Sequence, residues 1–161
     1  MGIEVFKPYL DEKKIQTRKF GSFKVKSFDV PHDDTPCVGY IIEMPDREKL
    51  LYATDFQYIR YSFRKLGIQH MLIECNHMKD LIDREAAKFA HSVRGHAELE
   101  VTKDIVADNK DAIKSVILCH MSRNGIDLDT MIEEIKKVAP RAYVDYARAG
   151  ESYELKGCCP F

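Results

Sequence analysis

The 161-residue sequence has no tryptophan, almost no net charge and no long apolar run. Its 25 basic and 26 acidic side chains leave a formal charge of −1, which excludes a histone-like binder held to nucleic acid by bulk charge. A nuclease is not excluded, because a bound metal can supply the positive charge. A membrane span needs about 18 or more apolar residues in a row, and none is present. Met1 to Leu10 has no apolar segment of the secretory-signal kind. Cysteine is odd in number: Cys37, Cys75, Cys119, Cys158 and Cys159. The first three lie in apolar, strand-like runs, so the set reads as reduced cytosolic thiols. Cys75 and Cys119 read as packing residues rather than ligands.

The length suits one domain, with 1–19 as a short charged leader and 20–161 as the domain. Phe20, Phe23, Val25, Phe28 and Val30 make a strand that Pro31 is expected to end. Runs 37–44 and 49–54, joined by Pro45-Asp46, read as a hairpin. After residue 69 strands alternate with helices: strand 70–75, helix 78–91, helix 98–109, strand 115–119, helix 127–138 and strand 141–146. Asp127 is the expected N-cap of the last helix. Such alternation predicts an α/β fold with parallel pairing, to which the hairpin adds antiparallel strands.

Four strands end in chemically capable residues. They close at His32-Asp33-Asp34, at Thr54-Asp55, at Glu74-Cys75-Asn76-His77 and at Cys119-His120. Open α/β sheets build their sites at carboxyl strand ends, and imidazole with carboxylate suits zinc, manganese or iron. A lone Asp after a strand is commonly a turn residue. His70 and His91 read as structural or solvated. Tyr58 and Tyr61 can stack a base or simply pack, and Arg60, Arg64 and Arg123 can contact phosphate or simply be solvated.

At these residues the chain resembles the metallo-β-lactamase superfamily, in its bacterial and phage nuclease or phosphodiesterase-like branch. The matching segments are Phe28-Asp29-Val30-Pro31-His32-Asp33, Leu51-Tyr52-Ala53-Thr54-Asp55, Ile73-Glu74-Cys75-Asn76, Val93-Arg94-Gly95-His96 and Leu118-Cys119-His120-Met121-Ser122-Arg123-Asn124. The resemblance implies that His32 and His120 each bind a metal, that Asp55 bridges two metals and that His96 donates a proton to the leaving oxygen. It implies zinc, with manganese as the alternative. Glu98 stands where the family usually has Ser.

The superfamily's HxHxDH motif is absent, since none of the six histidines lies at HxH spacing. The expected fold is therefore half of an αββα sandwich, a mixed sheet with about three helices. Its open face is expected to carry Phe20, Phe23, Val25, Ile41, Leu51, Ile73 and Ile117. A homodimer, or a separate chain supplying the N-terminal half, would cover that face. Two functions stay open. One is a metal-dependent phosphodiesterase or nuclease. The other is an inactive binding protein for nucleotide, nucleic acid or protein, such as a phage-encoded anti-defence inhibitor.

Overall fold

The computed structural model describes residues 8, 17–82, 85, 93–123 and 125–155. Its strands are β1 (Thr17–Phe20), β2 (Phe23–His32), β3 (Thr35–Glu43), β4 (Lys49–Ala53), β5 (His70–Glu74), β6 (Ser115–Cys119) and β7 (Tyr143–Tyr146). Helix α1 (Leu99–Asn109) joins β5 to β6, and α2 (Leu128–Val138) joins β6 to β7. The strands form one sheet in sequence order, antiparallel from β1 to β4 and parallel from β4 to β7. This is the expected α/β mixed sheet. Because successive parallel strands are added in one direction, right-handed crossovers place both helices on the same face, where α1 packs against α2.

That face is the core. Ile41, Leu51, Met71, Val116 and Val144 lie in one row across five strands, and all are buried. The alternation of strand side chains puts Tyr40, Ile42, Leu50, Tyr52 and Leu72 on the other face, where they are half-buried. The expected open-face set thus mixed the two sides. Val25 and Ile117 belong to the second face, but Ile41, Leu51 and Ile73 sit in the helix-covered core. Phe20 and Phe23 flank the β1–β2 turn and are exposed.

Other expectations resolve in detail. Asp127 caps α2, its carboxylate accepting the Thr130 N–H at 3.3 Å. Residues 17–19, at the end of the expected leader, pair with β2. Pro31 does not end β2, which runs on to His32. The Pro31 carbonyl accepts the Gln57 N–H at 2.7 Å. In a strand the nitrogen of a residue lies on the same side as its carbonyl, so the missing N–H faces away from β3 and no ladder bond is lost. The helix expected over 78–91 lies largely outside the described residues, as does His91; of its apolar face, Leu81 is exposed. Cys158 and Cys159 also lie outside them.

Gly39 faces Phe28 across the β2–β3 pair, and a Cβ there would stand 2.3 Å from Phe28 Cζ. The Phe28 ring is itself held by Phe63, with centroids 5.0 Å apart. A methyl at residue 39 therefore forces that ring to shift. Gly39→Ala is expected to cost about 2 kcal/mol by overpacking, read as a lower urea midpoint with an unchanged slope.

Candidate metal centre

β2, β4, β5 and β6 run in one direction, so their carboxyl ends meet at one edge of the sheet. His32 closes β2, Asp55 follows β4, Glu74 closes β5 and His120 follows β6. His96 arrives from the segment before α1. All four residues expected at the site, His32, Asp55, His96 and His120, are brought together.

Glu74 organises them. It is fully buried, and its Oε1 accepts Nδ1–H of His96 at 2.7 Å and of His120 at 3.0 Å. Oε2 accepts the Phe56 N–H at 3.0 Å, directly after Asp55. Burial pushes the Glu74 carboxyl up, but the bonds from His120, His96 and Phe56 outweigh it and hold the group below the ordinary glutamate range. The same bond to Glu74 raises His120 against the opposing effect of burial, and the charges of Glu74 and Asp55 add to the rise. His120 Nε2 lies 3.5 Å from Asp55 Oδ1.

A backbone carbonyl or a carboxylate can only accept, so the partnered nitrogen of each ring carries the proton. His32 Nδ1–H donates to the Gly95 carbonyl at 2.6 Å. In their neutral forms His32, His96 and His120 therefore carry their lone pairs on Nε2. An imidazole fixed through its outer N–H by a carbonyl or carboxylate is what a metal-binding histidine needs. With Asp55 beside them, the donor chemistry fits a borderline divalent ion.

The backbone is strained where it delivers these groups. Among the described residues four non-glycines have positive φ, and three of them are here: Asp33 at 44°, Asp55 at 57° and His120 at 52°. Each costs of order 1 kcal/mol and needs local support. Asn76 supplies it at His120: its Nδ2–H donates to the His120 carbonyl at 2.8 Å, and its own carbonyl accepts the Ser122 N–H at 2.8 Å. The Asn76 N–H also donates to the Ala97 carbonyl at 2.8 Å, tying the His96 segment to β5.

Sequence reasoning noted Glu74 and Asn76 as a strand end but gave them no role. The available signals were a glutamate closing an apolar run and the family likeness of Ile73-Glu74-Cys75-Asn76. His77 is buried beside this group, and its Nδ1 has no hydrogen-bond partner; burial pushes its pKa down, the Glu74 charge opposes and His96 adds to the fall. Burial raises Cys75 and Cys119 to about 12, in keeping with packing thiols. His70 is structural: it is fully buried between Ser115 Oγ at 2.8 Å and Glu48 Oε2 at 2.6 Å. Tyr61 bonds Asp29 and Arg60 lies over Tyr58, so these residues are occupied by one another.

Two of the solved structures that resemble the chain bear on its fold. One is the metallo-β-lactamase fold protein YhfI from Bacillus subtilis, with 20% identity and a TM-score of 0.63, covering 92% of this chain and 54% of that one. The other is a diphosphatase from the PhnP family, with 17% identity and a TM-score of 0.61, covering 91% and 49%. The fold is therefore metallo-β-lactamase-like, and the chain spans about half the length of either structure. No protein-family profile and no curated protein matches the sequence.

Proposed function

We propose that this chain is a metal-dependent hydrolase of the phosphodiesterase or nuclease type, with His32, Asp55, His96 and His120 around a zinc or manganese ion. The supporting observation is the Glu74 hub, which fixes two imidazoles by their outer nitrogens beside Asp55. A surface histidine cluster has no need of such support. The diphosphatase among the similar structures points the same way. When bound, the ion supplies Lewis acidity toward a phosphoryl oxygen and lowers the pKa of water. The chain's own residues orient the donors, and a protonated imidazole at this edge can give its proton to a leaving alkoxide.

The test is hydrolysis of bis(4-nitrophenyl) phosphate by metal-reconstituted protein. Activity is expected with zinc or manganese, lost on chelation and absent in His32→Ala and Asp55→Ala. Metal binding with no hydrolysis of this ester or of short oligonucleotides would leave the binding-protein reading instead.

The open face belongs to the same proposal. Among the described residues, Tyr40, Ile42, Leu50, Tyr52 and Leu72 are half-buried on the face opposite the helix-covered core, and the similar structures are about twice as long. A second copy of this chain, or a chain carrying an N-terminal half, packs on that face. Sedimentation is expected to give a dimer. A stable monomer of 18.6 kDa would argue against self-association and leave the complementary chain.

A further inference from the structure

The core face of the sheet changes its cover from one end to the other. The helices α1 and α2 connect the parallel strands β5 to β7. At β2 and β3 the cover is instead the segment 61–66, which faces Lys26, Phe28 and Ile41 across a cavity of about 400 Å³. Lys26 pairs with Ile41, which heads the buried row through Leu51 and Met71, so the cavity opens onto the main core. Phe28, Ile41 and Phe63 are its buried floor, and Tyr61 and Leu66 are its partly exposed walls. A cavity of this volume falls within the range of small-molecule sites.

Three ties hold the wall in place, each to a different element. The Tyr61 hydroxyl bonds Asp29 of β2. Ser62 Oγ donates to Asp108 Oδ2 of α1 at 2.6 Å. The Leu66 carbonyl accepts Lys49 Nζ from β4 at 2.7 Å. The segment is therefore fixed at both ends and cannot simply settle onto Phe28 and Ile41.

The charge at the mouth has one sign. The lining includes Lys26, Arg64 and Lys65, all exposed, and no carboxylate. None of these three side chains has an acidic partner among the described residues. Long basic side chains can lay their stems on apolar surface and hold their charges in water, and three cations around an apolar opening concentrate anions there. The interior does not suit a nucleobase. Its rings meet one another at an angle, Phe28 with Phe63 at 56° and with Tyr61 at 79°, which leaves no parallel slot for stacking. Its two hydroxyls, on Tyr61 and Ser62, are already given to Asp29 and Asp108. A flexible alkyl chain needs neither a slot nor a hydroxyl.

We propose that this cavity binds one medium-chain fatty carboxylate per chain. The alkyl chain lies on Phe28, Ile41 and Phe63, and the carboxylate sits at the mouth among Lys26, Arg64 and Lys65. None of His32, Asp55, His96 and His120 lines the cavity. Phe28 lies four residues before His32 in β2, about 13 Å along the strand. The inference is independent of the metal centre and its activity.

The test is calorimetric titration of the whole chain with decanoate below its micelle concentration. One site per chain is expected. Octanoate should bind about 10- to 15-fold more weakly, since two fewer methylenes are buried. The neutral decanol should bind about 10-fold more weakly than decanoate. The combined variant Lys26→Gln, Arg64→Gln, Lys65→Gln should lose about 10-fold for decanoate and less than about 2-fold for decanol. All three positions are exposed, and far-UV circular dichroism checks the fold. Methyl NMR of the wild-type protein locates the chain without mutants. Ile41 and Ile42 are neighbours on opposite faces of the sheet. Decanoate should shift the methyls of Ile41 and Leu66 and leave those of Ile42 and Leu50 in place. Shifts confined to Ile42 and Leu50 overturn the inference, because the ligand then sits on the open face. So do many weak sites per chain, equal affinity for decanol, or no binding at all. Flotation with phosphatidylglycerol vesicles, without a site for free decanoate, overturns it in favour of a membrane surface.

Discussion

Glu74→Ala is expected to lower stability by about 3–5 kcal/mol, the range for removing one partner of a buried, hydrogen-bonded charge. The reason is the number of donors it satisfies. Two imidazole N–H groups and the Phe56 N–H converge on one carboxylate that is fully buried, and each buried donor left without an acceptor costs about 1–3 kcal/mol. His120 is partly exposed and can turn to water, so the loss stays below the full sum. Removing the carboxylate also frees the rings to rotate, and affinity for cobalt(II), titrated in place of zinc, should fall by about 10- to 100-fold. Glu74→Gln sharpens the argument. Its amide nitrogen either meets the Phe56 N–H, donor against donor, or faces the imidazoles and makes them switch tautomer, so the variant should lie between alanine and wild type. Urea denaturation reads both. A Glu74→Ala protein within about 1 kcal/mol of wild type would show that water satisfies these groups as well as the carboxylate does.

How much of this was legible in the sequence differs from element to element. The parallel strands were legible because each is a short apolar run flanked by helical periodicity, and their ends were legible because His32, Asp55 and His120 interrupt those runs abruptly. Directions then do the rest: once β2, β4, β5 and β6 run the same way, their ends must meet at one edge. Which face each strand buries was not legible. In β3 through β6 both faces carry apolar residues, so alternation gives no sign of the helix side, and Ile41, Leu51 and Ile73 were read onto the wrong one. The role of Glu74 was hidden because a carboxylate that collects hydrogen bonds from three separate segments looks, in one dimension, like any glutamate that ends a strand. The left-handed backbone at Asp55 and His120 was hidden for a related reason. Asp and His adopt positive φ more readily than most residues, but Asn76 and the Phe56 bond to Glu74 hold them there from other strands.

Gly95→Ala separates the site from the fold and should leave stability nearly unchanged while weakening cobalt binding by about 10- to 100-fold. A Cβ at residue 95 would stand 2.9 Å from both Cε1 and Nδ1 of His32. That is closer than carbon tolerates, and the atoms in the way belong to the end of a side chain, so the imidazole moves rather than the backbone. Residues 93–95 already have helical backbone, which alanine favours over glycine by up to about 1 kcal/mol. The change in global stability should therefore be small. The displaced ring loses its 2.6 Å bond to the Gly95 carbonyl, and with it the outer contact that fixes its orientation beside Asp55 and His96. Ligand groups need placement within about 0.5 Å to work, and a contact at 2.9 Å must open by about that much to become an ordinary one. Glu74→Ala removes support from His96 and His120, whereas Gly95→Ala acts on His32 alone. The pair thus tests whether the site is one unit. If Gly95→Ala binds cobalt as tightly as wild type with an unchanged spectrum, His32 is not held by that carbonyl in the metal-bound state and does not owe its ligand role to it.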